Sequence, residues 1–219
     1  GLSIKGDGTT DGTLQLNCSQ NSHGVKLRSP AHSAGQSYTL TLPTGNLTAG
    51  NVLKINSISG SGTTAIGQLE APSELTMPNQ PAFLARLTSN LTNMNVSTGV
   101  QITFGTEIFD QGSDYDSSNG TFTAPVTGRY AFFFNTRTES IETSVAWWQW
   151  TIGSSNRNVG VLISTGQFDA TTDYYGQNMS MILDMDANDT CHMSFYQNGG
   201  SASIDLNADS TYFGGYLVC

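Results

Sequence analysis

Large apolar residues in this 219-residue chain alternate along many short runs, and no segment holds them at i, i+3, i+4 and i+7 over three turns. A period of two places side chains alternately on the two faces of a strand, whereas an amphipathic helix needs a period near 3.6. The chain is therefore expected to be all-β. The alternation is densest at Tyr130-Ala131-Phe132-Phe133-Phe134, where Tyr130, Phe132 and Phe134 share one face and Phe133 takes the other. In Ala146-Trp147-Trp148-Gln149-Trp150 the same rule puts Trp148 and Trp150 on one face with Ala146, and Trp147 opposite. A core accounts for one aromatic face. Bulk on the second face points to contact with another molecule, and Phe133 and Trp147 are the candidate interface residues.

Charge is scarce. Only 11% of residues are charged, against about 25% in ordinary globular domains, and the net charge is -9. The eight Lys and Arg are spread too thinly for the basic stripe that nucleic-acid binding requires. No run approaches the length of a membrane-spanning helix, so no membrane insertion is expected. Ten Phe, eight Tyr and three Trp argue against disorder.

Composition divides the chain in three. Residues 1–70 read as a small β-rich domain of short strands at Thr13–Asn17, around Val25 and Leu27, over Tyr38 to Leu42 and over Val52–Ile55, separated by glycine-rich turns. Large apolar side chains are few there, and a domain of this size buries a small share of its surface. It is expected to lean on a neighbour, most simply a partner subunit. Residues 71–81 carry three prolines and read as a linker. Residues 82–219 hold about ten strand-like runs, the number and spacing of a sandwich or closed barrel.

This last region resembles the globular head domain of the C1q and tumour necrosis factor superfamily. The resemblance rests on Phe104, Asp110, Tyr115, Phe122, Gly128, Tyr130, Phe132 and Phe134 in register, on Phe122-Thr-Ala-Pro-Val-Thr-Gly-Arg-Tyr130, and on the closing stretch Ser210 to Leu217. It implies a ten-stranded jelly-roll sandwich, a compact homotrimer and a binding module without catalytic residues. It also implies a hairpin at Leu183 to Phe195, turning at residues 186–189. Read physically, Gly128 allows a tight turn or a close backbone approach, and the alternating aromatics fill one layer of the core.

The first region is not the collagen stalk that precedes the head of C1q. Residues 6–16, 38–43 and 50–56 are instead similar to β-rich stem and linker segments of tailed-bacteriophage virion proteins. The two resemblances together predict a non-catalytic homotrimer on the virion surface, in capsid or tail. It would be a head decoration, fibre or knob that anchors through residues 1–70 to the major capsid protein or another virion protein. One alternative is a tail receptor-binding protein recognising a host surface glycan. Another is a secreted C1q-like recognition protein of a cellular organism, for which the seven Asn-x-Ser/Thr sequons would be glycosylation candidates.

Chemistry-bearing motifs are few. There is no phosphate-binding glycine loop, nucleophile elbow or two-Cys two-His cluster. No cofactor is expected beyond calcium, for which Asp110, Asp114 and Asp116 in one loop are the candidate ligands, with Asp184, Asp186 and Asp189 as a second acidic turn. A glycan-cleaving site would need two carboxylates facing each other across a sugar. Cys191 and His192 adjoin on a strand and should face opposite sides. Cys18, Cys191 and Cys219 are expected to be separate thiols.

Overall fold

The computed structural model describes residues 1–49, 51–61, 64–72, 77 and 79–219. The chain divides into two compact units, Gly1–Thr76 and Met77–Cys219. Residues 73–76 and 78 of the prolyl linker at 71–81 lie outside the described residues, as do Gly50 and Gly62. Residues 79–81 already belong to the second unit. Pro81 is buried and its carbonyl accepts from Leu217 N at 2.9 Å, while Gln111 Nε2 donates to the Gln80 carbonyl at 2.7 Å.

The first unit contains β1 (Thr13–Asn17), β2 (Gly24–Arg28), β3 (Tyr38–Thr41), β4 (Lys54–Ser59) and β5 (Ala65–Glu70). β1 and β2 form a hairpin, and β3, β5 and β4 form a three-stranded sheet in that order. Strand β5 went unread in the sequence because Ala-Ile-Gly-Gln-Leu-Glu alternates weakly, and the fourth run sits later than expected, at Lys54–Ser59. Both sheets are amphipathic. In the hairpin, Leu14 faces Leu27 and Leu16 faces Val25, so all four side chains line one face. Those apolar residues are exposed, as are Tyr38, Leu40, Ile55 and Ile58 on the second sheet.

The second unit contains β6 (Ala82–Arg86), β7 (Val100–Gln101), β8 (Thr106–Gln111), β9 (Tyr115–Asp116), β10 (Thr121–Thr123), β11 (Gly128–Ile141), β12 (Val145–Ser154), β13 (Asn158–Ser164), β14 (Thr172–Met185), β15 (Thr190–Gly199), β16 (Asp205–Leu206) and β17 (Tyr212–Leu217). They make two six-stranded sheets. One runs β13-β12-β15-β10-β9, with β7 added to β15. The other runs β14-β11-β17-β6-β8, with β16 added to β11. This is the expected all-β jelly roll. Its sheets are built from strands distant in sequence, such as β17 between β11 and β6.

The core lies between the sheets. Tyr130, Phe132 and Phe134 point inward from β11, Trp148, Trp150 and Ile152 from β12, and Cys191, Met193 and Phe195 from β15. Phe83 stacks on Tyr115 at 4.6 Å and on Phe122 at 5.1 Å between ring centroids, and Phe213 meets Phe83 edge-on at 5.2 Å. Burial of each such side chain stabilises the fold by about 1.5–3 kcal/mol. The family-pattern residues Phe104, Tyr115, Phe122, Tyr130, Phe132 and Phe134 are all core. Gly128 serves close approach: a Cβ there would stand 2.7 Å from the Cys219 carbonyl oxygen and 2.7 Å from Leu217 Cδ1.

Two expectations change. The turn at residues 186–189 does not close a hairpin, because β14 lies in one sheet and β15 in the other. The turn instead carries the chain across the sandwich. Strand β8 was not expected. It is an edge strand whose Glu107, Ile108 and Phe109 are exposed in succession, so it lacks the alternation that a half-buried strand shows.

Candidate binding surfaces of the head

Each sheet has an outer face, and the two faces differ in chemistry. On the β14-β11-β17-β6-β8 sheet, register sets Ser180, Phe133, Gly214, Leu84 and Phe109 in one row, and Ile182, Ala131, Tyr216, Ala82 and Gln111 in the next. Ile182 is 58% exposed, Phe109 49%, Tyr216 47% and Phe133 36%, so these rows form an uncovered apolar stripe. Gly214 keeps it low: a Cβ there would meet Phe133 Cζ at 2.7 Å.

On the opposite sheet Trp147 is half-buried and points outward. The face assignment of its strand needed one correction. A β-bulge between Val145 and Trp147 puts Val145 in the core with Trp148 and Trp150, and leaves Ala146 exposed rather than on the core face. Phe133 and Trp147 therefore lie on opposite outer faces and do not belong to one continuous patch. Trp147 stacks on Tyr196 of the neighbouring strand at 5.2 Å and 24°. Tyr196 was missed in the sequence, although alternation along Thr190 to Gln197 places it outward; nothing local showed that it would meet Trp147.

The acidic loop does not bring its three carboxylates together. The Asp110 carboxylate accepts from the Asp114 and Tyr115 backbone amides at 3.2 and 3.1 Å. Asp116 accepts from Ser118 N at 2.9 Å, Ser118 Oγ at 2.6 Å and Asn119 Nδ2 at 2.7 Å. These are turn contacts that consume carboxylate lone pairs. Among the described residues no three His, Cys, Asp or Glu side chains converge, so the expected Asp110, Asp114 and Asp116 trio is not brought together. In the second acidic turn, Asp184 pairs with Arg157 at 2.5 Å, and Asp189 accepts from Asp186 N and Asn156 Nδ2.

Asp114 has its carboxyl raised above the ordinary 3.8, first by burial and then by the neighbouring Asp110 charge. A raised folded value means that this group's stabilising contribution is complete below 3.8 and is lost as pH rises through the folded value. Asp114→Asn is thus expected to melt higher than wild type at neutral pH, with the difference closing below 3.8. Melting curves of both proteins across pH check it, and a difference independent of pH would contradict it.

Cys191 is buried against the core and His192 is half-buried on the other side of β15, as alternation requires. Burial pushes the Cys191 thiol up and the His192 imidazole down. All three cysteines are free thiols. Cys18 is an activated thiol: hydrogen bonds from Ser22 and from the His23 backbone hold it down at about 7. Iodoacetamide at pH 7.5 is expected to alkylate Cys18 more than about a hundredfold faster than Cys191, which should react only on unfolding. Peptide mapping over a time course checks this.

Residues 82–218 match the C1q domain. The chain belongs to the C1q domain family. Among solved structures it is similar to the globular domain of zebrafish complement 1qA protein, at 16% identity and a TM-score of 0.49, over 64% of this chain and 98% of that one. It is also similar to murine APRIL crystallised at pH 5.0, at 10% identity and a TM-score of 0.46, over 64% of this chain and 99% of that one. No curated protein sequence matches.

Proposed function

We propose that the chain is a non-catalytic homotrimeric protein of a bacteriophage particle, a head decoration, fibre or knob, whose C1q head projects while residues 1–70 fix it to the virion. The observation that carries the assembly is the apolar stripe of Phe133, Tyr216, Ile182 and Phe109. Formal charge flanks it only beyond its ends, at Arg129 and Asp184 on one side and Arg86 and Glu107 on the other. Such a surface on an otherwise acidic head is a contact face awaiting a like or complementary face. Trimeric assembly is also what membership of the C1q and tumour necrosis factor superfamily leads one to expect.

The first unit supports the same reading. Its two amphipathic sheets leave their apolar faces open, and a sheet with one apolar face needs a second layer. Its cations Lys5, Lys26, Arg28 and Lys54 balance Asp7, Asp11, Glu70 and Glu74, so copies of it meet without net repulsion. Placement on a virion rests on the likeness of residues 6–16, 38–43 and 50–56 to phage stem segments.

Light scattering on the full chain tests the assembly, with an expected mass three times 23.3 kDa. A monomer would sink it. Cryo-electron microscopy of the source particle tests the placement. Copies by the hundred mean decoration, a few tens or fewer mean tail, and absence from the particle rejects a virion role. The receptor-binding alternative gains weight from the outward Trp147–Tyr196 pair on the face opposite the stripe.

A further inference from the structure

The outer face of the β13-β12-β15 sheet has a composition unlike the rest of the head. Along β12 the outward residues are Trp147, Gln149 and Thr151, and opposite them on β15 stand Asn198, Tyr196 and Ser194. Leu162 and Gly160 of β13 complete the rows beside Gln149 and Thr151. None of these side chains is charged, although the head holds the whole net charge of -9, the first unit being balanced. The next row, through Gly153, His192 and Thr121, meets its first carboxylate only at Asp116 on the far edge.

The two rings stack on one another, with 5.2 Å between centroids and 24° between planes, and both are half-buried, so they form one aromatic step on the outer face of the sheet. Amides and hydroxyls surround them at the spacing the sheet imposes, about 4.8 Å between strands. Gly160 shapes the surface: a Cβ there would collide with the Gln149 amide and stand 3.0 Å from Thr151 Oγ1. The missing side chain leaves room for the Gln149 amide, whose Nε2 donates to Thr151 Oγ1 at 3.1 Å.

We propose that this face, centred on Trp147 and Tyr196 with Gln149 and Asn198 beside them, is a binding platform for an uncharged polysaccharide chain. A pyranose ring offers an apolar C–H face and a rim of hydroxyls. The C–H face packs on an aromatic ring, and the rim exchanges hydrogen bonds with amides and hydroxyls in the ring plane. The lack of charge is the selective element. Anionic glycans gain no partner here and are repelled by the acidic remainder of the head, whereas a neutral chain meets no unpaired charge. A protein partner would call for a broader apolar core with charged anchors, and this face supplies only Leu162 beyond the two rings.

The platform deepens the receptor-binding alternative. It depends on the assembly only in that the face must stay uncovered. The test is affinity electrophoresis of the full-length protein through native gels cast with dextran, galactomannan or amylose, with alginate as the anionic control. At least one neutral polymer is expected to retard the wild type. Trp147→Ala and Tyr196→Ala are each expected to weaken retention about tenfold, and Trp147→Phe to keep part of it. Bound polymer should also shield Trp147 from acrylamide quenching, with Trp148 and Trp150 already buried.

Light scattering and melting on the same samples separate the two proposals. A monomeric wild type that still binds through Trp147 sinks the trimer and keeps the platform. Failure of every neutral polymer, retention by alginate alone, or retention untouched by Trp147→Ala overturns the platform. So does a Trp147→Ala variant that falls out of the assembly, which would make Trp147 an interface residue, and so does Trp147-dependent capture of a protein with no polymer bound.

Discussion

Replacing Phe122 by alanine is expected to destabilise the head by about 3–5 kcal/mol and to lower its melting temperature by roughly 10–20 °C. Phe122 is fully buried and sits in the middle of the aromatic cluster. It stacks on Phe83 at 5.1 Å and meets Tyr130 at 5.5 Å and Phe132 at 5.6 Å. Its strand β10 is three residues long and pairs with β15 and β9 through few backbone hydrogen bonds, so the ring is the main tie between that strand and the opposite sheet. The cavity left behind cannot collapse readily. Phe83 and Phe132 are held by their own strands in the other sheet, and Gly215 packs so tightly on Phe132 that a Cβ there would lie 2.5 Å from its Cδ1. Thermal unfolding by near-ultraviolet circular dichroism reads the effect. The surface change Val126→Ala serves as the control, expected within about 0.5 kcal/mol of wild type. Equal melting of Phe122→Ala and the control would show that this aromatic layer does not hold the head together.

The second large effect is on assembly. Phe133→Asp is expected to turn the proposed trimer into monomers at micromolar concentration, a loss of at least about a hundredfold in association. The ring is 36% exposed on the single chain and lies between Ser180 and Gly214 in the middle of the apolar stripe. A carboxylate placed there would be solvated in the monomer and stripped of water without a partner in the assembly, which is costly. Its neighbours on β11, Phe132 and Phe134, face the core, so the monomer should keep its melting behaviour. Sedimentation velocity with parallel circular dichroism separates dissociation from unfolding. An unaltered trimer would move the interface elsewhere, and an unfolded monomer would call for Phe133→Ser as the milder variant.

Much of this architecture was legible because side-chain alternation is a local property. Which of Tyr130, Phe132 and Phe133 faces inward follows from neighbouring residues in one strand, and the structure agrees residue by residue. Strand β8 and strand β5 escaped notice for a related reason. An edge strand with Glu107, Ile108 and Phe109 all exposed, and a strand of a sheet without a covered face, carry no burial pattern for the sequence to display. The bulge at Ala146 was invisible because a single inserted residue reverses face assignment without leaving a mark in composition. The acidic loop showed the limit for sites. Asp110, Asp114 and Asp116 are the right residue types for a hard cation, yet the Asp110 and Asp116 carboxylates already accept from amides and hydroxyls of their own turns.

The sequence by itself determined that the fold is all-β, that Phe104, Tyr115, Phe122, Tyr130, Phe132 and Phe134 form a C1q-type core, and which side of the densely alternating strand around Tyr130 is buried. These follow from period two and from the spacing of large rings, which tertiary context does not alter. Only the tertiary structure decided which strands are neighbours. It separated Phe133 from Trp147 onto opposite faces, carried the turn at 186–189 across the sandwich, and brought Tyr196 against Trp147. Those facts depend on register between strands far apart in the chain. That register is set by the fit of the whole core, and no single strand encodes it.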